Sequence, residues 1–288
     1  MQARIYSMLP SYTMRSAISM IELVFVIVIL GIVSSIGADI IANTYESYIV
    51  QRAQYKATTK TELALNQIAN RLRYVIPGTV VFRASKGSGF KRITDSTSGN
   101  DKVLQWVSYD GDSFEAIESS SKRNPGWSGF CDIGSYTSGS TSLSTPGSNL
   151  DLTTAIIDNF GGDIGDAVLY FPDGSNYGIA SGSDESITLD AAIPSGKRIF
   201  ERYKLARSSY ALSCENGTAE YPCGDLVLYY NFSPVVGAPL PEDGKILLKK
   251  VSNFRFKGGE ESMRIKICKT EKISDSETIH ACKEKVIF

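Results

Sequence analysis

Histidine is nearly missing from this chain: His280 is the only one in 288 residues. No Gly-x-Ser-x-Gly, Walker loop or His-Glu-x-x-His motif occurs, which excludes the common hydrolase, nucleotide-binding and zinc-peptidase signatures. No Cys-x-x-Cys pair exists among Cys131, Cys214, Cys223, Cys268 and Cys282, so the usual spacing of a zinc site is absent. An excess of one charge is lacking too. Thirty Lys and Arg face 31 Asp and Glu, and overall charge therefore predicts no nucleic-acid partner. There is no tandem repeat. Two absences are local. Proline does not occur from Ile18 to Tyr74, so nothing there forces a break in a helix. No charged residue occurs from Leu23 to Ala38.

What is present is mostly soluble and globular in character: 42% of residues are apolar and the mean hydropathy is −0.08. Charge is unevenly spread. Residues 246–288 hold ten Lys or Arg and six Asp or Glu, a net of +4. The five cysteines point to disulfides over metal if the bulk of the chain lies outside the cytoplasm. Spacing suggests local pairs. Cys214 and Cys223 bracket a turn-rich loop, and Cys268 and Cys282 bracket a polar 13-residue segment between strand-like runs. Cys131 is then left over. Spacing alone does not fix connectivity.

The apolar run Ile18-Ser19-Met20-Ile21-Glu22-Leu23-Val24-Phe25 carries one carboxylate at its mouth, Glu22. A charge within a membrane-spanning stretch costs several kcal/mol unless it is paired. The nearest available cation is a new amino terminus, created if the chain is cut four residues upstream. Residues 1–17 contain Arg4 and Arg15 and no acid, and end in Ser16-Ala17. A secretory signal has the reverse order, with its small-residue cleavage site after the apolar core. A cut after Ala17 leaves the apolar core on the mature protein, whose net charge is then near −3 (28 basic against 31 acidic).

This constellation over residues 14–45 resembles the type IV pilin and type II secretion pseudopilin family. The resemblance implies a leader 1–17, cut between Ala17 and Ile18 by a prepilin peptidase, with N-methylation of the new terminus. It also implies an assembly ion pair between Glu22 and the Ile18 amine of a neighbouring subunit. Gly31 falls where the family often has glycine. The chain differs in having Ala17 for Gly, Ile18 for Phe or Met, and Asp39 where many members have a helix-kinking Pro. The partners implied are other pilins or pseudopilins, the prepilin peptidase, an inner-membrane assembly platform and, before assembly, membrane lipid. The implied location is a single pass through a bacterial inner membrane with a periplasmic head, then a periplasmic or extracellular filament. The head is larger than in a typical major pilin, which suggests a minor pilin or large minor pseudopilin. The tip-most subunit of such filaments tends to lack the carboxylate, so Glu22 suggests a place below the tip.

The fold expected is α+β: a long N-terminal helix, 18–75, on a mostly antiparallel β head, 76–288. Its transmembrane half is 18–38, and the charge-free stretch spans about 24 Å at helical rise. Beyond Asp39, Ala57, Ala64, Ile68, Leu72 and Val75 recur at helical spacing, with Arg52, Lys56, Lys60, Glu62, Arg71 and Arg73 on the polar face. Pro77-Gly78 ends the helix. Strands are expected over 79–84, 103–109, 167–171, 199–205, 209–214, 226–231, 246–256, 263–268 and 281–288. A short helix is expected over 149–159, capped by Ser148 or Asn149. The Ser/Gly/Thr-rich segment 119–148 reads as a long surface loop or an insertion.

Candidate sites for chemistry are few. A Cys/His nucleophile pair would need Cys268 or Cys282 with His280, and a structural cystine is the favoured reading. No enzyme activity or cofactor is expected. Calcium candidates are Asp158, Asp163 and Asp166 around Gly161-Gly162, and Asp110 with Asp112 around Gly111; solvated turns are the plainer reading. In the last strands basics alternate with apolar residues, which places Arg255, Lys257, Arg264 and Lys266, with Lys283 and Lys285, on one outer patch. That patch would meet water, an acidic neighbour in a filament, or DNA phosphates. The alternative function is accordingly a filament-displayed binding subunit, an adhesin or DNA-uptake pilin, facing DNA or a host surface.

Overall fold

The computed structural model describes residues 19–95, 101–258, 262–274 and 277–287. The leader 1–17, Ala17, Ile18 and Phe288 lie outside the described residues. Helix α1 runs unbroken over Met20–Leu72. Two compact units divide at Arg52/Ala53. The first holds the apolar part of α1; the second holds the rest of α1 and all strands.

Within the second unit, α1 buries Ala57, Thr61, Ala64, Leu65, Ile68, Ala69 and Leu72. These positions recur every three or four residues, so they form one stripe along the helix. The helix tightens at its end, where Tyr74 and Val75 donate backbone bonds to Arg71 and Leu72. Pro77 and Gly78, with φ of +79° at Gly78, then turn the chain, and Ile76 donates to the carbonyl of Val107.

The chain continues with β1 (Val81–Arg83), β2 (Lys91–Arg92) and β3 (Val103–Ser108). A segment of α2 (Gly111–Glu115), β4 (Ser142–Ser144), α3 (Leu150–Asn159), β5 (Val168–Tyr170), β6 (Asn176–Ser183), β7 (Ser186–Leu189) and β8 (Lys204–Ala206) follows. The chain closes with β9 (Ser208–Glu215), β10 (Gly224–Phe232), β11 (Lys245–Gly258), β12 (Met263–Lys272) and β13 (Thr278–Ile287). The first sheet has the order β13-β12-β11-β10-β9-β3-β1-β2 and the second β4-β7-β6-β5-β8. Every strand pair described is antiparallel.

One face of the first sheet meets α1. Ala64, Leu65, Ile68 and Leu72 pack with Leu104, Trp106, Leu226, Phe254, Phe256, Ile265 and Ile267. Each fully buried aliphatic side chain stabilises the fold by roughly 1.5–3 kcal/mol, so this helix–sheet seam carries much of the stability of the head. The second sheet belongs wholly to an insertion between β3 and β9, which are direct neighbours in the first sheet. It has its own core, including Leu143, Leu150, Ile157, Leu169, Ile179, Ile187 and Leu205. A third cluster of Ile76, Val107, Val168, Tyr170 and Ala206 joins the two.

Several sequence expectations change. Of the two readings of 119–148, the insertion holds: the segment is part of the chain inserted between β3 and β9, and it is only partly exposed. Trp127, Cys131, Leu143, Thr145 and Ser148 are buried, β4 pairs with β7, and Ser148 Oγ accepts from the Ser128 amide at 2.9 Å. Ser, Gly and Thr here fill a polar, tightly turned wall. The expected strand 199–205 forms only at Lys204–Ala206. Upstream, Glu201 accepts from the Cys131 amide and Tyr203 donates to Gly129, so the backbone bonds go to an irregular segment. Strands β6 and β7 are additions. In β6 a Cβ on Gly182 would lie 2.9 Å from Ile164 Cδ1 and 3.2 Å from Leu150 Cβ. The bare backbone at Gly182 lets those two side chains approach the strand.

Candidate functional site

The apolar part of α1 is the feature the sequence points to first. From Met20 to Val33 every large hydrophobic side chain is between 48% and 85% exposed. The most apolar stretch of the helix has none of its residues buried, and by length and composition it could cross a membrane. A soluble core helix of similar composition would be covered. Soluble monomers rarely expose contiguous apolar patches beyond a few hundred Å². Tyr45, Tyr48 and Tyr55 are exposed beyond it, amphipathic rings of the kind enriched at membrane–water boundaries.

Glu22 lies in the first turn of α1. Its amide donates to Ser19 Oγ at 3.2 Å, and the Leu23 amide donates to the Ser19 carbonyl at 3.1 Å. Ser19 is thus the N-cap, and Ser19-x-x-Glu22 has the spacing of a capping box. A carboxylate in this turn also complements the helix dipole, worth about 0.3–1 kcal/mol. The sequence reading missed this local role, although the Ser-x-x-Glu spacing signals it. Ile18, the other half of the expected assembly pair, and Ala17 lie outside the described residues.

Cys214 is bonded to Cys223 and Cys268 to Cys282. The second bridge joins residues directly opposite in the β12–β13 register, with Cα atoms 4.0 Å apart. Neither cysteine near His280 is a thiol, so no Cys/His nucleophile pair exists there. His280 instead has its Nδ1 at 2.9 Å from Thr270 Oγ1. Cys131 is free and buried. Burial, and secondarily Asp132, pushes its thiol up to about 11, the opposite of what a reactive cysteine needs.

The basic patch is only partly as expected. Register pairs Arg255 with Lys266 and Lys257 with Arg264, so these four share the outer face. Like charges directly opposite are destabilising. Arg264 is answered by Glu284 at 3.0 Å; among the described residues Arg255, Lys257 and Lys266 have no ion-pair partner. Lys283 and Lys285 do not belong to this patch. They pair with Ile267 and Ile265, which face α1, and Lys283 Nζ lies 3.6 Å from Glu62 while Lys285 donates to Asn66 at 3.1 Å. The one-residue offset between β12 and β13 decides this, because neighbouring residues along a strand point to opposite faces.

The calcium candidates do not converge. Asp163 Oδ1 caps its own turn by accepting from Gly165. Asp110 and Asp112 are both taken by one guanidinium: Arg207 Nε lies 3.2 Å from Asp110 and Nη2 lies 2.9 Å from Asp112. No group of three or more His, Cys, Asp and Glu among the described residues is placed to hold a metal.

An unburied apolar helix and two disulfides mark a membrane-anchored or secreted protein. A long N-terminal helix packed on an antiparallel sheet is a pilin-like architecture. Compared with known proteins, no protein family, curated protein or solved structure matches this chain.

Proposed function

We propose that this protein is a minor pilin or minor pseudopilin: a non-catalytic subunit that assembles through α1 into a type IV pilus or type II secretion filament after prepilin-peptidase cleavage. One observation carries the reading. A single continuous helix is apolar and uncovered from Leu23 to Ala38, and then striped and buried against its own sheet from Ala57 to Leu72. The uncovered part needs a cover outside the chain, which lipid supplies first and neighbouring helices afterwards. Glu22 supports the same reading. Cleavage before Ile18 would create an amine four residues upstream, in reach of a carboxylate on an adjacent subunit. Breaking a buried ion pair by removing one partner costs about 3–5 kcal/mol, so such a pair would fix the stagger between subunits.

Two measurements test the proposal. N-terminal mass mapping of membrane fractions should find a start at Ile18 that is lost without the peptidase. Glu22→Ala should keep the protein in the membrane but remove it from the sheared or purified filament. An intact Met1 terminus in both strains would overturn the proposal.

A second reading, a filament-displayed subunit that binds DNA or a host surface, is favoured by the three outer cations Arg255, Lys257 and Lys266, which have no ion-pair partner among the described residues. Salt-sensitive DNA binding by the full chain, weakened by Arg255→Gln and Lys257→Gln, separates it from a purely structural role.

A further inference from the structure

A cleft of about 630 Å³ opens beside the junction of the two sheets, where the insertion meets the segment leaving α1. Its size falls in the range of small-molecule sites, roughly 300–1,000 Å³. The wall is aromatic and already organised. The Phe114 and Trp127 rings lie 4.7 Å apart and the Tyr109 and Trp127 rings 6.1 Å apart. The Trp127 indole N–H is fixed by donating to the Asp110 carbonyl at 2.9 Å. Phe114 and Phe130 remain 42% and 40% exposed, so two ring faces are open to a ligand.

The charge of this cleft is one-sided. Arg202 and Lys204 line it, and no carboxylate does. Lys204 is half-buried, with its Nζ 4.8 Å from the centre of the Tyr109 ring. It has no hydrogen-bond or ion-pair partner among the described residues. Burial holds its ammonium below the ordinary lysine value, the direction expected of a cation lacking a counter-charge. Tyrosine hydroxyls, Ser128 and the Trp127 indole, already committed to Asp110, aside, no neutral hydrogen-bonding side chain lines the cleft, which is a poor match to a hydroxyl-rich sugar.

We propose that this cleft binds a small amphipathic anion, an aromatic or apolar body bearing a carboxylate, with the body on Phe114 and Phe130 and the carboxylate on Lys204 and Arg202. A half-buried ammonium with only a ring face beside it gains most from an anion that brings its own apolar cover. The inference uses only the Ala53–Phe288 unit and stands independently of the filament reading.

The test uses the full chain in lipid nanodiscs, with empty discs subtracted, and equilibrium dialysis of two labelled probes, indole-3-acetate and the uncharged indole-3-acetamide. The acetate should bind at least about ten-fold more tightly than the amide, because only it meets the cations. Lys204→Met should remove most of that preference, weakening the acetate by about five-fold while leaving the amide unchanged. Arg202→Gln, at an exposed position, should weaken the acetate alone by about three-fold. Retention of neither probe, equal binding of both, or acetate binding untouched by both substitutions would overturn the proposal.

Discussion

The two ends of α1 use the same backbone for opposite tasks. From Leu23 to Ala38 the helix is uncharged on every side and none of its large side chains is covered. From Ala57 to Leu72 it is apolar on one stripe, and that stripe is buried. The difference lies in where the covering surface comes from. A stripe about 100° wide is what one sheet can cover, and Phe254, Phe256, Ile265 and Ile267 cover it. An all-round apolar surface needs a medium that surrounds it, and no described element of the chain covers it. The helix therefore has one end stabilised by the protein itself and one end whose stability belongs to its environment.

Substitutions at matched positions would break this comparison most sharply. Ile68→Lys puts an unpaired ammonium into the helix–sheet seam and should prevent the head from folding, read as loss of near-ultraviolet circular dichroism. Ile29→Lys should leave thermal unfolding of the head unchanged and instead move protein from the membrane pellet to the soluble fraction, since a lysine at mid-bilayer costs at least about 2.5 kcal/mol. Equal loss of head stability in both variants would abolish the distinction. Next in size, replacing Cys268 and Cys282 together by Ala should destabilise the head by about 3 kcal/mol in denaturant titration, as expected for a cross-link closing a loop of that length. The amide-exchange protection of residues 23–40 should not change. The smallest effect is at the helix start. Ser19→Ala removes the N-cap and should cost about 1 kcal/mol locally, seen as faster amide exchange in the first turn of α1 with no shift in head unfolding.

Much of this was legible from residue order. The absence of proline and the change from all-round to striped hydrophobicity place α1 and its two regimes, because helical periodicity is a local property. Period-two alternation in Phe254-Arg255-Phe256-Lys257 and Arg264-Ile265-Lys266-Ile267 places four cations on one face. Asn149, three residues before Leu152, caps α3 as its position suggests: its side chain accepts from the Leu152 amide at 3.0 Å. Less legible was anything that depends on which distant segment arrives. Lys283 and Lys285 share the alternation of their neighbours, but the register of β13 against β12 turns them toward α1. The need for glycine at 182 comes from Leu150 and Ile164, which pack over the strand there. The 119–148 segment looks solvated until Trp127, Cys131 and Leu143 are seen in a second core.

Sequence alone thus determined the long helix, its uncovered apolar half, the carboxylate at its start and the strand-rich head, since each follows from the periodicity and chemistry of neighbouring residues. Only the tertiary structure decided the rest. It placed one guanidinium, Arg207, between the Asp110 and Asp112 carboxylates, separated the C-terminal lysines from the outer basic face, and gathered Tyr109, Phe114, Trp127, Phe130, Arg202 and Lys204 around one cleft. Those residues are spread over nearly a hundred positions of chain, and only long-range strand pairing and burial bring them within reach of each other.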